Sequence, residues 1–287
     1  MPNTLFRYIM PQPHKFIYFG TPKVASETLA TLLERGFTPE LVVTSPDRPA
    51  GRGLVLTPSP VKELALTRSI SVLTPEKLDS AAIATIAAYG ADYALCVAYG
   101  KIFPEELIAA LPLGVLNVHY SLLPKYRGAT PLEAALLAGE NETGVTVQKM
   151  VKELDAGDII AQKSTEIGPN ETARELRPRL IALGAEMLIE TLPLFAGGFI
   201  TPMPQDAAKA TRASKLKKED GLLSIEDAAE ENWKKYRAYA DTIGTYFFEN
   251  GKRMKITSAE FTKGEFRVLR VIPEGKGETI YRSAASA

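Results

Sequence analysis

The chain is short of the residues that most often hold metals, with one cysteine, Cys96, and two histidines, His14 and His119. A single thiol cannot build an intramolecular disulfide framework, so a reducing, cytoplasmic setting is expected. The same scarcity argues against a Cys/His zinc site, and no metal is expected. No apolar run approaches the roughly 18 residues of a membrane-spanning helix, so the membrane is not an expected partner. Net charge is absent as well, because 34 Lys+Arg offset 34 Asp+Glu. Bulk attraction to nucleic acid is therefore missing, although residues 206–287 alone hold 16 basic against 13 acidic side chains, an imbalance that permits an RNA partner. Two phosphate-binding patterns are also missing. The first strand candidate ends in Gly20-Thr21-Pro22, not in a G-x-G-x-x-G turn, and no G-x-x-x-x-G-K-[ST] occurs.

What is present is an ordinary globular composition over 287 residues, 45% apolar and 24% charged, with room for one large domain and one small one. Residues 1–14, MPNTLFRYIMPQPH, lack a secretory apolar core and are expected to be a flexible extension. Strand and helix patterns then alternate. Phe16–Phe19, Tyr93–Ala98 and Gly114–Val118 are short apolar runs of the kind found in buried strands, and Leu41–Val43 and Ser71–Leu73 are two further strand candidates. Between them, residues 22–33, 58–66 and 81–88 suit helices. That alternation predicts an α/β fold, Rossmann-like, with a mostly parallel sheet and helices on both faces. After Gly144 the pattern changes. Val145–Met150 and Asp158–Gln162 predict a hairpin, and Thr172–Leu194 a long helix.

Ala196-Gly197-Gly198, then Pro202 and Pro204, mark a boundary. The expected division is a catalytic domain over 15–203, a basic linker over 204–219 (Lys209, Arg212, Lys215, Lys217, Lys218) and a small β-rich domain over 220–287. The last contains one helix candidate, Ile225–Tyr239, and β-like runs at 245–248, 254–256 and 267–271, with Asn250-Gly251 as a hairpin turn. No heptad pattern occurs, and a monomer is expected.

Ligands of open parallel sheets bind outside the carboxyl ends of the strands. Asn117 and His119 leave such an end two residues apart, so their side chains project on one side. An amide donor and a titratable imidazole at one spot suit acyl transfer: the first for a developing oxyanion, the second as a base near neutral pH. A lone histidine is more often structural, but His119 is the only one inside the folded region and precedes a loop rich in Pro and Gly. Asp155 and Asp158, in the turn of the predicted hairpin, could each orient the imidazole, and spacing does not choose between them. The loop Ser45–Gly53 carries Arg48 and Arg52, which suits either a solvated surface or an arm that grips an anionic partner.

These residues belong to longer patterns. NVHYSLLPKYRGATP followed by ETGVTVQKMVKELDAGDII resembles the signature of enzymes that transfer formyl from 10-formyltetrahydrofolate, and PDRPAGRG with TPSPVK resembles their methionyl-tRNA formyltransferase branch. The resemblance is close over residues 16–200 and looser beyond. It implies an Asn–His–Asp trio, here Asn117, His119 and Asp155, and a folate site at Ser121, Leu122, Leu123 and Pro124 with Tyr99 and Gly100. It also implies initiator methionyl-tRNA as partner, with Arg52 at the acceptor end. Arg48 in the same loop, and Lys209 and Lys215 in the linker, are the further candidates for RNA contact. The family's C-terminal domain is barrel-like. Here residues 238–246 lack a Trp-Pro-Gly type pattern and the β-region stops near Arg282, so a reduced barrel is expected. The alternatives are a formyltransferase acting on an amino-sugar nucleotide and, more remotely, a non-catalytic RNA- or folate-binding module.

Overall fold

The structure, a computed structural model, describes residues 14–51 and 53–282. The N-terminal extension up to residue 13 and Arg52 therefore lie outside the described residues. His14 is described, and its Nδ1 stands 3.4 Å from the Asp92 carboxylate.

Strand β1 (Phe16–Gly20) is buried at every position, which its aromatic and β-branched side chains favour. It runs parallel to β2 (Leu41–Val43) on one side and β6 (Tyr93–Val97) on the other. The turn into α1 (Lys23–Glu34) needs Gly20, because a Cβ there would run into Ala25, the Tyr18 ring and the Val97 carbonyl. Helix α1 buries Ala25, Thr28, Leu29 and Leu32, a stripe at helical spacing.

After β2 the chain departs from the expected loop. β3 (Arg48–Ala50) pairs antiparallel with β4 (Val55–Thr57), making a two-stranded ribbon. Its far side leaves Leu54, Val55 and Leu56 more than 60% exposed, at 72%, 66% and 65%. Then follow α2 (Pro60–Thr67), β5 (Val72–Leu73) and α3 (Ser80–Ala87). Ser59 and Asp79 cap the two helices by accepting from Lys62 N and Ala82 N. After β6 come α4 (Glu105–Ala109) and β7 (Val115–His119), parallel to β6.

β8 (Arg127–Gly128) and α5 (Pro131–Leu137) precede β9 (Glu142–Lys149) and β10 (Ile159–Glu166), both longer than expected, and α6 (Ala173–Ala196). The central sheet has the order β10-β9-β7-β6-β1-β2-β5. It is parallel from β7 to β5, and the β7–β9 seam is antiparallel.

The chain divides into two compact units that interleave in sequence. Of the described residues, one takes those up to Pro124, Gly144–Lys163 and Leu180–Ala210; the other takes Lys125–Thr143, Ser164–Arg179 and those from Thr211 on. The second unit holds β11 (Arg212–Ala213), paired with β8, then α7 (Ala229–Tyr239). Its sheet is β12 (Thr245–Glu249), β13 (Lys252–Thr262), β14 (Glu265–Pro273) and β15 (Thr279–Ile280), antiparallel throughout and open in order. Asn250 and Gly251 both have positive φ, 50° and 72°, as a two-residue hairpin turn requires. Helix α7 starts four residues later than the expected Ile225, because Asn232 Nδ2 donates to Ser224 O and Asp227 O and holds that stretch as a turn. Leu223, Phe247, Ile256 and Val271 form this unit's core, and Trp233 stacks between Tyr236 and Phe261. Arg177 bonds both the buried Glu133 (2.7 Å) and Asp241 (2.8 Å), which hold its guanidinium charged against burial.

Candidate active site

At the carboxyl edge of the parallel strands, the loops after β1, β2 and β6 are tied together: Thr21 Oγ1 lies 3.1 Å from Ser45 Oγ and donates to Tyr99 O at 3.4 Å. Beside them β7 delivers Asn117 and His119. The β7–β9 register sets Asn117 opposite Gln148 and His119 opposite Thr146. Directly paired residues share a face of the sheet. One face therefore carries an amide, an imidazole, a second amide and a hydroxyl.

His119 is 5% exposed, and its Nδ1 stands 3.6 Å from Asp155 Oδ2, whose side chain is 9% exposed. That is an ion-pair spacing, looser than a working hydrogen bond of about 2.6–3.2 Å; such contacts tighten when substrate closes the site. Spacing left Asp155 and Asp158 open, and the two stand in different places. Asp155 faces His119, while Asp158 turns its backbone carbonyl to Lys149 N at 2.9 Å. The turn that presents Asp155 is tightly specified. Asp155 has φ 51°, a left-handed conformation uncommon outside glycine, and a Cβ at Gly157 would collide with the Lys149 carbonyl oxygen. Beside Asn117, in register on β6, lies the buried Cys96. Burial, reinforced by the Asp155 charge, pushes its thiol up to about 12, so it stays neutral.

The segment Ser121–Pro124 is held from below by side chains that spacing did not single out. Thr146 Oγ1 donates to Ser121 O (2.7 Å) and accepts from Leu123 N (3.2 Å) and Gln162 Nε2 (2.8 Å). Gln162 Nε2 also donates to Leu123 O at 2.9 Å. Gly144 lets this layer close, since a Cβ there would strike Lys163 O and the Leu122 side chain. The Leu123–Pro124 peptide is cis. Ser121 and Leu123 are buried, whereas Leu122 and Pro124 are half-buried.

The other candidates lie in varied surroundings. Tyr99 is 3% exposed, packed edge-on to Phe19 and Phe103, and burial raises its hydroxyl to about 12; Gly100 is exposed with φ 80°. Arg48 is exposed on the β3–β4 ribbon and pairs with Glu76 at 2.6 Å. Lys209 and Lys215 are exposed, and Lys209 lies 3.5 Å from Asp206.

Among the described residues no group of three or more His, Cys, Asp or Glu could hold a metal ion, and no helix is long and apolar enough to cross a membrane. A cleft of about 580 Å³ in the second unit is lined by Arg174 and Lys255 but also by Glu175, Asp241 and Glu278, so it has no bias for either sign of charge.

Residues 14–192 match the formyl transferase family, and residues 215–284 match the formyl transferase C-terminal domain. A methionyl-tRNA formyltransferase of Koribacter versatilis is 40% identical over 88% of this chain and 83% of its own length. One from Bdellovibrio bacteriovorus is 42% identical over 86% of this chain and 78% of its own. Among solved structures, a sugar 3N-formyl transferase crystallised with dTDP and 5-N-formyl-THF superimposes with a TM-score of 0.66 at 19% identity, over 88% of each chain.

Proposed function

The chain belongs to the methionyl-tRNA formyltransferase family, and from that membership we propose that it moves a formyl group from 10-formyltetrahydrofolate to the free amino group of methionyl-initiator tRNA, serving translation initiation in the cytoplasm. The single observation that carries the residue assignment is the buried His119–Asp155 pair on the face shared with Asn117.

The amine must be neutral to attack, and a free α-amine titrates at about 7.7–8.0. His119 takes the proton that the nitrogen sheds as it bonds to the formyl carbon, and returns one to the departing N10 of the folate. Asp155 holds the ring with Nδ1–H toward itself, leaving Nε2 for the substrate, and supports the imidazolium while it lasts. Asn117 donates a hydrogen bond to the formyl oxygen as it becomes negative. Every step is a proton transfer or an addition and elimination at one carbonyl carbon.

Ser121, Leu122, Leu123, Pro124, Tyr99 and Gly100 are assigned to the folate. The cross-bonding of that segment by Thr146 and Gln162 supports a preformed wall. Thr146→Val removes one donor and two acceptor contacts at constant shape. It is expected to raise KM for the formyl donor about tenfold, in keeping with the roughly 1 kcal/mol or more that each lost buried hydrogen bond costs, with a smaller change in kcat. Steady-state kinetics at saturating tRNA checks this. Arg48, Arg52, Lys209 and Lys215 are assigned to RNA phosphates.

The deciding experiment offers the protein 10-formyltetrahydrofolate with charged initiator tRNA in one vessel and an amino-sugar nucleotide in another. Formylmethionyl-tRNA in the first alone supports the proposal. Formylation of the sugar alone replaces it, and formation of neither product removes the enzymatic reading.

A further inference from the structure

Asp155 is held at both ends by two glutamines that no motif singled out. Gln148, 1% exposed, donates from Nε2 to Asp155 Oδ1 at 2.8 Å, which leaves Oδ2 for His119. Gln205 Nε2 in turn points at three acceptors: Asp155 O at 2.9 Å, Gly157 O at 2.7 Å and Gln148 Oε1 at 3.4 Å. All three partners are oxygens, so the amide orientation of Gln205 is fixed by them, and that of Gln148 follows, because its oxygen receives Gln205 while its nitrogen serves Asp155. The turn so gripped has Asp155 in a left-handed conformation and contains a glycine in backbone contact with β9, features that persist only where surroundings over-determine them.

We propose that Gln205, acting through Gln148 and the carbonyls of Asp155 and Gly157, is a positioning residue that holds the Asp155 carboxylate toward His119 Nδ1 and thereby selects the tautomer of the imidazole. The proposal rests on the catalytic reading above for its kinetic arm and stands apart from it in its spectroscopic one. Gln205 touches no reacting atom. Its work is to keep Oδ1 engaged with Gln148 so that Oδ2 faces Nδ1, the arrangement that leaves Nε2 as the base. The neutral Cys96 thiol and the two amides are among the groups near this pair.

The test compares wild type, Gln205→Ala and Gln205→Glu. The glutamate is isosteric but presents oxygen to three oxygens, so it should harm at least as much as the alanine if donation is what matters. Both variants are expected to lower kcat about 10- to 100-fold, the scale of a roughly 1 Å misplacement, with KM for folate and tRNA within about twofold. Long-range ¹H–¹⁵N correlation spectra provide the second readout. With two histidines in the chain, the His119 ring nitrogens are assignable by comparison with a His14→Asn variant. Wild type should show the Nδ1–H tautomer, and both Gln205 variants a mixture. Wild-type kcat and an unmixed tautomer in Gln205→Ala, whatever its melting temperature, overturn the proposal. Inactivity of the wild type itself would count against the catalytic reading only, and the tautomer comparison would still decide this one.

Discussion

His119→Ala is expected to lower kcat for formyl transfer by about 10²–10⁴-fold, the range over which a positioned general base contributes. The argument rests on placement. The imidazole is buried, faces a carboxylate at 3.6 Å, and shares its side of the sheet with Asn117. No second histidine within the folded sheet can substitute, as His14 stands beside Asp92, before β1. Folate binding, followed by equilibrium titration, should survive, since Thr146 and Gln162 hold Ser121–Pro124. A variant that retains more than a tenth of wild-type kcat would remove His119 from the chemistry.

The second large effect is expected at Asn117. Asn117→Ala should reduce kcat about 10²–10³-fold, as losing one oxyanion donor does elsewhere, with little change in KM for either substrate. The split matters. Losing a donor aimed at charge that exists only in the transition state lowers kcat and kcat/KM equally, whereas losing a residue that merely grips substrate raises KM. Asn117→Asp makes the comparison sharper, because it keeps the size, removes the donor and sets a second carboxylate near Asp155. It should be no more active than the alanine variant. A rise in KM with unchanged kcat in both would reassign Asn117 to binding.

Much of the central sheet was legible because it obeys one rule. Strands covered on both faces read as unbroken apolar runs, and Phe16–Phe19 and Tyr93–Ala98 are such runs. Asn250-Gly251 announced its hairpin because few residues accept two successive positive φ angles. The ribbon after Ser45 was missed because its second strand, Val55–Thr57, lies beyond the Gly-rich stretch and is exposed, so burial left no mark on it. At the site, the i, i+2 spacing put Asn117 and His119 on one side, but it left Asp155 and Asp158 open, and only the family resemblance pointed to Asp155. Thr146 and Gln148 carry the same two-residue spacing on β9. That signal acquires meaning only once β9 is known to run antiparallel to β7 in this register. Gln205 had no local signal, since its partners Asp155 and Gln148 lie 50 and 57 residues earlier in the chain.

The antiparallel seam between β7 and β9 also limits how this enzyme can drift over generations. Deleting or inserting one codon just ahead of Thr146 would turn Thr146 and Gln148 to the opposite surface together, undoing the support of Ser121–Pro124 and the carboxylate's anchor in one event. Point changes there act on one side chain at a time, and length changes in exposed connections such as residues 138–141 leave the pairing intact. Descendants of this chain should therefore vary in length around that strand and stay constant in length along it.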